Sequence, residues 1–264
     1  MPKVSVLMGV FNCEKTVEKA IESIQQQTFS DWEMIICDDG SKDNTLGIVR
    51  SISQRDDRII IINNETNHGL AYTLNQCLKY ASGEYCARMD GDDMCDSTRL
   101  EKQVIFLDNH PEYGFVSTRM KRFDENGEYQ IKTRGAGQSP TKRDLIFGSP
   151  FSHAAVMIRK KCYDEVKGYR DIPQIKGDED YDLWFRLYAH GFFGYIINEP
   201  LYYFYDDRAA QKRRTFKRRL NEAWVRRSGY KMLHIPLPYR IYILKPIILG
   251  LLPNSLYVYL RRKR

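Results

Sequence analysis

The 264-residue chain has few metal-binding and redox side chains: five histidines, six cysteines and no Cys-x-x-Cys pair. A cysteine zinc site is therefore not expected, nor is a secreted disulfide framework. Cys13, Cys37, Cys77, Cys86, Cys95 and Cys162 mostly fall in apolar segments, as small buried hydrophobes do. A reducing cytosol suits them. No stretch reaches the roughly 18 apolar residues of a spanning helix. The opening MPKVSVLMGVFN lacks a basic start before a long apolar run, so no secretory signal is expected there. Gly-x-Gly-x-x-Gly is missing after the first apolar run, which disfavours a dinucleotide fold. The P-loop pattern and Gly-x-Ser-x-Gly are missing as well. The chain carries no internal repeat and no low-complexity segment.

What is present is a chain long enough for a substantial core, with a marked charge asymmetry. The net charge is +7, yet Arg208 to Arg264 holds 16 Lys and Arg against one acid. The preceding residues are thus net acidic. An acidic body with a basic end predicts one surface that meets an anion-rich partner.

Periodicity predicts βαβ units. Val4–Val10 reads as a buried strand, and Asn12 is placed to cap a helix carrying Val17, Ala20, Ile21 and Ile24 on one face. Trp32–Asp39 and Ile59–Ile62 read as further strands, with a helix over residues 44–54 between them. A helix on Leu70, Leu74, Cys77 and Leu78 follows a glycine, and EYCARM is a fourth strand. Thr98 and Glu101 are spaced for a capping box on a helix to about Asn109. Such alternation means a parallel sheet with helices on both faces. Right-handed crossovers then line the strand C-termini along one ligand-binding edge. Asn12, Asp38/Asp39, Asn63/Asn64 and Asp90 all fall there. Further on, DENG signals a hairpin, HAAVMIRK reads as a strand starting at His153, and DEDYDLWFRLYAHG reads as a helix. That helix has Tyr181, Trp184, Phe185 and Tyr188 on its apolar face; Asp182 reads as an acid favoured by its dipole, which is the alternative reading for Glu179. A basic helix from Arg208 onward has Phe216, Leu220, Ala223 and Trp224 on one side.

The most chemically pointed stretch is DGDD, Asp90 to Asp93. Like charges this close repel unless a cation sits among them. Asp-x-Asp at a strand end suits a hard divalent ion shared with a substrate phosphate. An acidic solvated turn is the plainer alternative. An EF-hand is excluded, because Met94 and Cys95 stand where an oxygen ligand and a glycine belong. Asp39, ending the CDDGS strand, can accept from a ribose or a base N–H, while Ser41 or Asp43 caps the next helix.

Together these stretches resemble glycosyltransferase family 2, the inverting, nucleotide-sugar-dependent enzymes of the GT-A fold. VSVLMGVFN is similar to the family's opening strand, with Gly9 in place of the usual proline and Phe11 in place of tyrosine. DDGS at Asp38–Ser41, NHGLAYTLN, RMDGDD and GDEDYDLWFRL match in order, over roughly Val4 to Leu187. The resemblance implies an α/β GT-A fold with a mostly parallel central sheet. It implies that Val10, Phe11, Asn12, Asn67 and Gly69 line the nucleotide pocket. Asp39 would contact the base and Asp90 the ribose. Asp92, with Asp90, would bind Mn²⁺ or Mg²⁺ bridging the diphosphate, supported by Asp93. Asp180 would be the catalytic base, with Glu179 its neighbour. His153 starts a strand near where the family's diphosphate lies; a satisfied core or rim histidine is the alternative. Arg88 and Arg159 are candidates to approach phosphate, with structural pairing as the alternative.

The expected organisation is a catalytic domain over 1–207, with a nucleotide half (1–110) and a base half (111–207), then a basic amphipathic tail over 208–264. IYILKPIILGLL is too short and too charged to span a bilayer but can lie in the headgroup layer. The expected partners are a nucleotide-sugar donor, a lipid-linked saccharide acceptor and the cytoplasmic face of a bacterial inner membrane, not nucleic acid. The expected reaction moves a hexose or N-acetylhexosamine, from a UDP-sugar, to a polyprenyl-diphosphate saccharide. A nucleotidyltransferase and a non-catalytic nucleotide-sugar binder are the competing readings.

Overall fold

The computed structural model describes residues 1–124, 127–129, 138–205 and 215–251. Its first half runs β1 (Val4–Val10), α1 (Val17–Gln25), β2 (Trp32–Asp38), α2 (Thr45–Ser53), β3 (Ile59–Asn63), α3 (Leu70–Tyr80), β4 (Tyr85–Asp90), β5 (Met94–Cys95) and α4 (Arg99–Asn109). The second half runs β6 (Tyr113–Asp124), β7 (Gly127–Tyr129), α5 (Asp144–Phe147), β8 (Met157–Arg159), α6 (Lys160–Val166), α7 (Glu179–Ala189), β9 (Phe193–Tyr205), α8 (Phe216–Met232) and α9 (Lys245–Leu251). Short 3-10 turns occupy His153–Ala155, Pro173–Ile175 and Leu237–Ile243.

Among the described residues these strands form one mixed sheet in the order β3-β2-β1-β4-β8-β6-β9-β5, with β7 on β6. The first four strands are parallel, as the βαβ pattern predicts. The second half adds both senses: β8 is antiparallel to β4 and β6, whereas β6 and β9 are parallel. β6 and β7 form the hairpin that DENG signals.

Strand alternation builds two cores. Val4, Val6, Met8 and Val10 point to a cluster with α1, α2 and α4. Leu7 points the other way, into a cluster with α3, α6, α7 and α8. That second cluster contains Trp184, Phe185, Tyr188, Val225 and Tyr230. α8 is thus built onto the second half of the chain. Its close approach needs Gly229, where a Cβ would lie 2.2 Å from Phe185 Cγ. The α8 face that carries Phe216, Leu220 and Trp224 is the exposed one. Residues 208–214 and 252–264 of the basic segment lie outside the described residues.

Several local expectations are corrected. Asn12 does not cap α1; Thr16 precedes that helix, and Asn12 takes positive φ, 51°, to reach the next loop. The Thr98–Glu101 capping box does not form: Thr98 bonds Asp96, and Glu101 accepts from Thr28. His153 begins a 3-10 turn rather than a strand, and only Met157–Arg159 pairs as β8.

Candidate active site

The parallel register brings Val10 beside Asp38 and Asp38 beside Asn63, with Gly9 beside Asp90. The predicted polar rim therefore exists. It is also stitched together: Ser41 Oγ accepts from the Asn12 N–H at 3.0 Å, and Asn12 Oδ1 accepts from the Lys42 N–H at 2.8 Å. Val10 is buried, while Phe11, Asn12 and Asn67 are exposed at the edge.

Asp39 is almost fully buried and accepts three N–H groups, from Asn64 Nδ2 (2.9 Å), His68 N (3.0 Å) and Gly69 N (2.7 Å). A carboxylate has about four acceptor positions, so one remains. Gly69 sits at φ +96°, a conformation that orients its N–H toward Asp39 at little steric cost. Asp39 is both loop staple and candidate base contact.

β4 delivers Asp90. Its backbone N–H donates to Tyr202 Oη at 3.1 Å, and its carboxylate pairs with the Arg88 guanidinium. Arg88, expected at the phosphate, is buried beneath that edge and bonds Met89 O and Asp90. Arg159 lies at the far end of the strand, because antiparallel β8 sets it opposite Tyr85, where β4 begins. It bonds Tyr113 O and Leu107 O and is structural. Asp92 is exposed. Asp93 is buried, and its Oδ1 accepts from the Tyr205 N–H at 2.7 Å. Burial, then Asp90 and Asp92, push its carboxyl well above the usual range. Tyr202 and Tyr205 thus hold the DGDD turn against β9. Sequence reading missed both, since they lie more than a hundred residues downstream.

Asp90 and Asp92 are hard oxygen ligands at a strand end. Among the described residues, no three His, Cys, Asp or Glu side chains form a metal cage. This donor set fits an ion that takes most of its remaining ligands from phosphate and water.

Asp180 sits in the first turn of α7, half-buried. Burial, with a smaller push from Glu179, raises its carboxyl to about 6, against the opposing Tyr181 N–H, Ser149 hydroxyl and Arg218 charge. Ser149 Oγ lies 3.4 Å from Asp180 Oδ2 and accepts from Trp184 Nε1 at 3.0 Å. Glu179 turns back to accept the Gly177 N–H at 2.8 Å, tying down the loop before Asp180. Asp182 is not a surface acid. It is buried between Arg186 Nε (2.8 Å) and Arg170 Nε (3.0 Å), and Arg186 continues to Val166 O and Gly168 O. This fork fixes α7 on the end of α6.

His153 reaches the rim because β8 runs antiparallel to β4. Its Nε2 lies 2.8 Å from Tyr169 Oη, which lies 2.9 Å from Tyr163 Oη. Burial and the nearby Arg88 charge drive its pKa well below 6.5, so it is a neutral, hydrogen-bonded imidazole. The loop before α7 also reaches the nucleotide edge: a Cβ on Gly69 would lie 3.8 Å from Lys176 Nζ. The strand-end rim and the loop before α7 therefore meet at Gly69 and Lys176.

Comparison with known proteins agrees. The model of "Glycosyl transferase family 2" matches residues 5–167. EpsE of Bacillus subtilis (strain 168), which carries a glycosyltransferase name, is 42% identical over 267 residues, covering 100% of this chain and 94% of its own. WfaP of Escherichia coli is named a UDP-Glc:alpha-D-GlcNAc-diphosphoundecaprenol beta-1,3-glucosyltransferase; it is 31% identical over 197 residues, covering 72% of each chain. The crystal structure of S. aureus TarS 1-349 in complex with UDP-GlcNAc superposes with TM-score 0.70 at 19% identity, over 95% of this chain and 82% of that one. TarS supports the GT-A-type fold. The family match runs from β1 through α6, and the EpsE similarity covers the whole chain: the chain belongs to glycosyltransferase family 2 and is a glycosyltransferase.

Proposed function

We propose that the protein is a metal-dependent inverting enzyme of surface-polysaccharide assembly. It moves a hexose or N-acetylhexosamine from a UDP-sugar to a saccharide on a polyprenyl diphosphate. The carrying observation is Asp180, held at about 6 beside Ser149, with the loop before it reaching the edge that bears Asp39. The remaining acceptor position of Asp39 suits the N3–H of uracil. The Asp90 carboxylate, paired with Arg88, would contact the ribose. Asp92 and Asp90 would hold Mn²⁺ or Mg²⁺, which when bound supplies charge that stabilises the departing diphosphate.

Asp180 takes the proton of the acceptor hydroxyl. That oxygen attacks the anomeric carbon as the bond to the diphosphate oxygen breaks, and the nucleoside diphosphate leaves with the electron pair. One base and no enzyme nucleophile give inversion. The names of WfaP and of the TarS complex support a UDP-sugar donor, and that of WfaP a lipid-diphosphate acceptor.

Such an acceptor places the enzyme at the cytoplasmic face of the inner membrane. Leu237, Ile241, Leu244, Ile248 and Leu251 are 49% to 75% exposed, with Arg240 and Lys245 among them. Apolar side chains interleaved with cations suit the headgroup layer of anionic lipid. Among the described residues, no helix is long and apolar enough to cross a membrane. The test is a panel of UDP-, GDP- and dTDP-sugars with Mn²⁺ and α-D-GlcNAc-diphosphoundecaprenol, read by product mass. Mass gain with a UDP-sugar supports the reading; nucleotide release without any saccharide product overturns it.

A further inference from the structure

His153 is satisfied at one ring nitrogen and not at the other. Its Nε2 lies 2.8 Å from Tyr169 Oη, which lies 2.9 Å from Tyr163 Oη. Nδ1 has no partner among the described residues, and it is not one of the unpaired atoms sealed from solvent. It is therefore the open end of a partly exposed ring.

Counting hydrogens assigns the tautomer. Both tyrosines are buried, and Tyr163 Oη has no other partner among the described residues. With the proton on Nε2, that nitrogen donates to Tyr169, and one of the two hydroxyl hydrogens is left buried and unused. With Nε2 bare, Tyr163 donates to Tyr169 and Tyr169 donates to Nε2, so every buried hydrogen is used. The imidazole proton then sits on Nδ1. Burial and the Arg88 charge keep the ring neutral, so Nδ1–H is a fixed, uncharged hydrogen-bond donor.

The place gives that donor something to meet. The turn His153–Ala155 packs on the C-terminal end of β4, where the Arg88 N–H donates to Val156 O at 2.9 Å and the Arg88 guanidinium pairs with Asp90. On its other side the ring meets Trp184 edge to face, with centroids 6.1 Å apart. Trp184 in turn donates to the Ser149 hydroxyl beside Asp180. His153 thus stands between the acid that ends β4 and the acid that opens α7. A single N–H open at that point calls for an oxygen acceptor from a ligand.

We propose that His153 binds the nucleotide sugar: its Nδ1–H, fixed by the Tyr163–Tyr169 chain, donates to an oxygen of the bound sugar nucleotide. This rests on the transferase reading above. Diphosphate oxygens and sugar hydroxyls share that acceptor chemistry, and binding data separate them.

The experiment measures Kd by calorimetry for UDP, and for the UDP-sugar selected in the panel above, with Mn²⁺ and the full chain as wild type, H153N and H153Q. An asparagine amide nitrogen can stand at Nδ1, whereas a glutamine amide stands at Nε2 and keeps only the Tyr169 contact. H153Q should weaken UDP-sugar binding about tenfold, the worth of one such hydrogen bond. H153N should stay within a few-fold of the wild type. A loss shared by UDP puts the oxygen on the diphosphate; a loss confined to the UDP-sugar puts it on the sugar. H153Q binding as well as H153N, or better, makes the histidine a prop for Tyr169 and overturns the inference. Nitrogen NMR of the wild type reads the tautomer without any variant, and a proton on Nε2 overturns the inference even where a variant fails to fold. A wild type that binds neither UDP nor any UDP-sugar overturns the functional reading, and this inference with it.

Discussion

The indole N–H of Trp184 donates to Ser149 Oγ at 3.0 Å, and that hydroxyl lies 3.4 Å from the Asp180 carboxylate. A fully buried tryptophan in the core thereby fixes the hydroxyl beside Asp180. Because the Ser149 hydroxyl lowers the Asp180 pKa, S149A should move the alkaline-rising limb of kcat/KM to higher pH. It should also lower kcat about tenfold at neutral pH, the upper end for one neutral hydrogen bond. A pH-rate profile of S149A that overlays the wild type removes Ser149 from the mechanism.

Asp180 must be ionised to accept a proton, so kcat/KM should rise with pH around a midpoint near 6. D180N should lose at least about a hundredfold in transfer while still binding nucleotide. Stability should move the other way. The fold raises this carboxyl from 3.8 to about 6, so its contribution is complete below the unfolded value and is lost as pH rises through 6. Thermal melts should therefore show D180N gaining on the wild type at about pH 8 and not at about pH 4.

Asp39 serves three backbone or amide donors as well as the proposed base contact. D39A should weaken nucleotide binding and also destabilise the fold by about 2 kcal/mol or more, since three N–H groups lose a charged acceptor. Calorimetric binding and a urea melt on the same sample check both. A binding loss with an unchanged midpoint would confine Asp39 to ligand contact.

The acids of the DGDD turn should separate by substitution. D92A should abolish the metal dependence of UDP binding in calorimetry. D93N retains an Oδ1 acceptor for the Tyr205 N–H and should stay within a few-fold of wild-type turnover, whereas D93A should not. Equal losses in D93N and D93A would contradict the anchoring role.

The exposed side chains Leu237, Ile241 and Ile248 are available for change without touching the core, whereas Leu233 and Ile235 are buried in it. Changing the three to glutamate should release the protein from vesicles containing phosphatidylglycerol, with the thermal midpoint nearly unchanged. Undiminished sedimentation with vesicles would refute the docking surface.

Much of the nucleotide side was legible in sequence. The strand–helix alternation of residues 4–109 reads directly from periodicity, and parallel crossovers then fix which ends share an edge. Asp39, Asp90 and Asp92 could be placed on that edge without coordinates. Asp182 reads as a helix-dipole acid, and its burial is not visible in the acidic run it shares with Asp180. Arg170, twelve residues earlier, and Arg186 turn Asp182 into a buried ion-pair centre. Arg88 and Arg159 read alike as phosphate candidates, yet strand direction sends one under Asp90 and the other to the opposite end of β4.

The sequence by itself determined the parallel half-sheet and the acids at its strand ends, because those follow from local periodicity, while the family rested on motifs that resemble it in order. Tertiary structure decided what each acid is free to do. Burial raises Asp180 and Asp178, Tyr205 holds Asp93, and Arg170 and Arg186 take up Asp182. A carboxylate's role depends on desolvation and on partners brought from distant positions, and neither is encoded in the spacing around it.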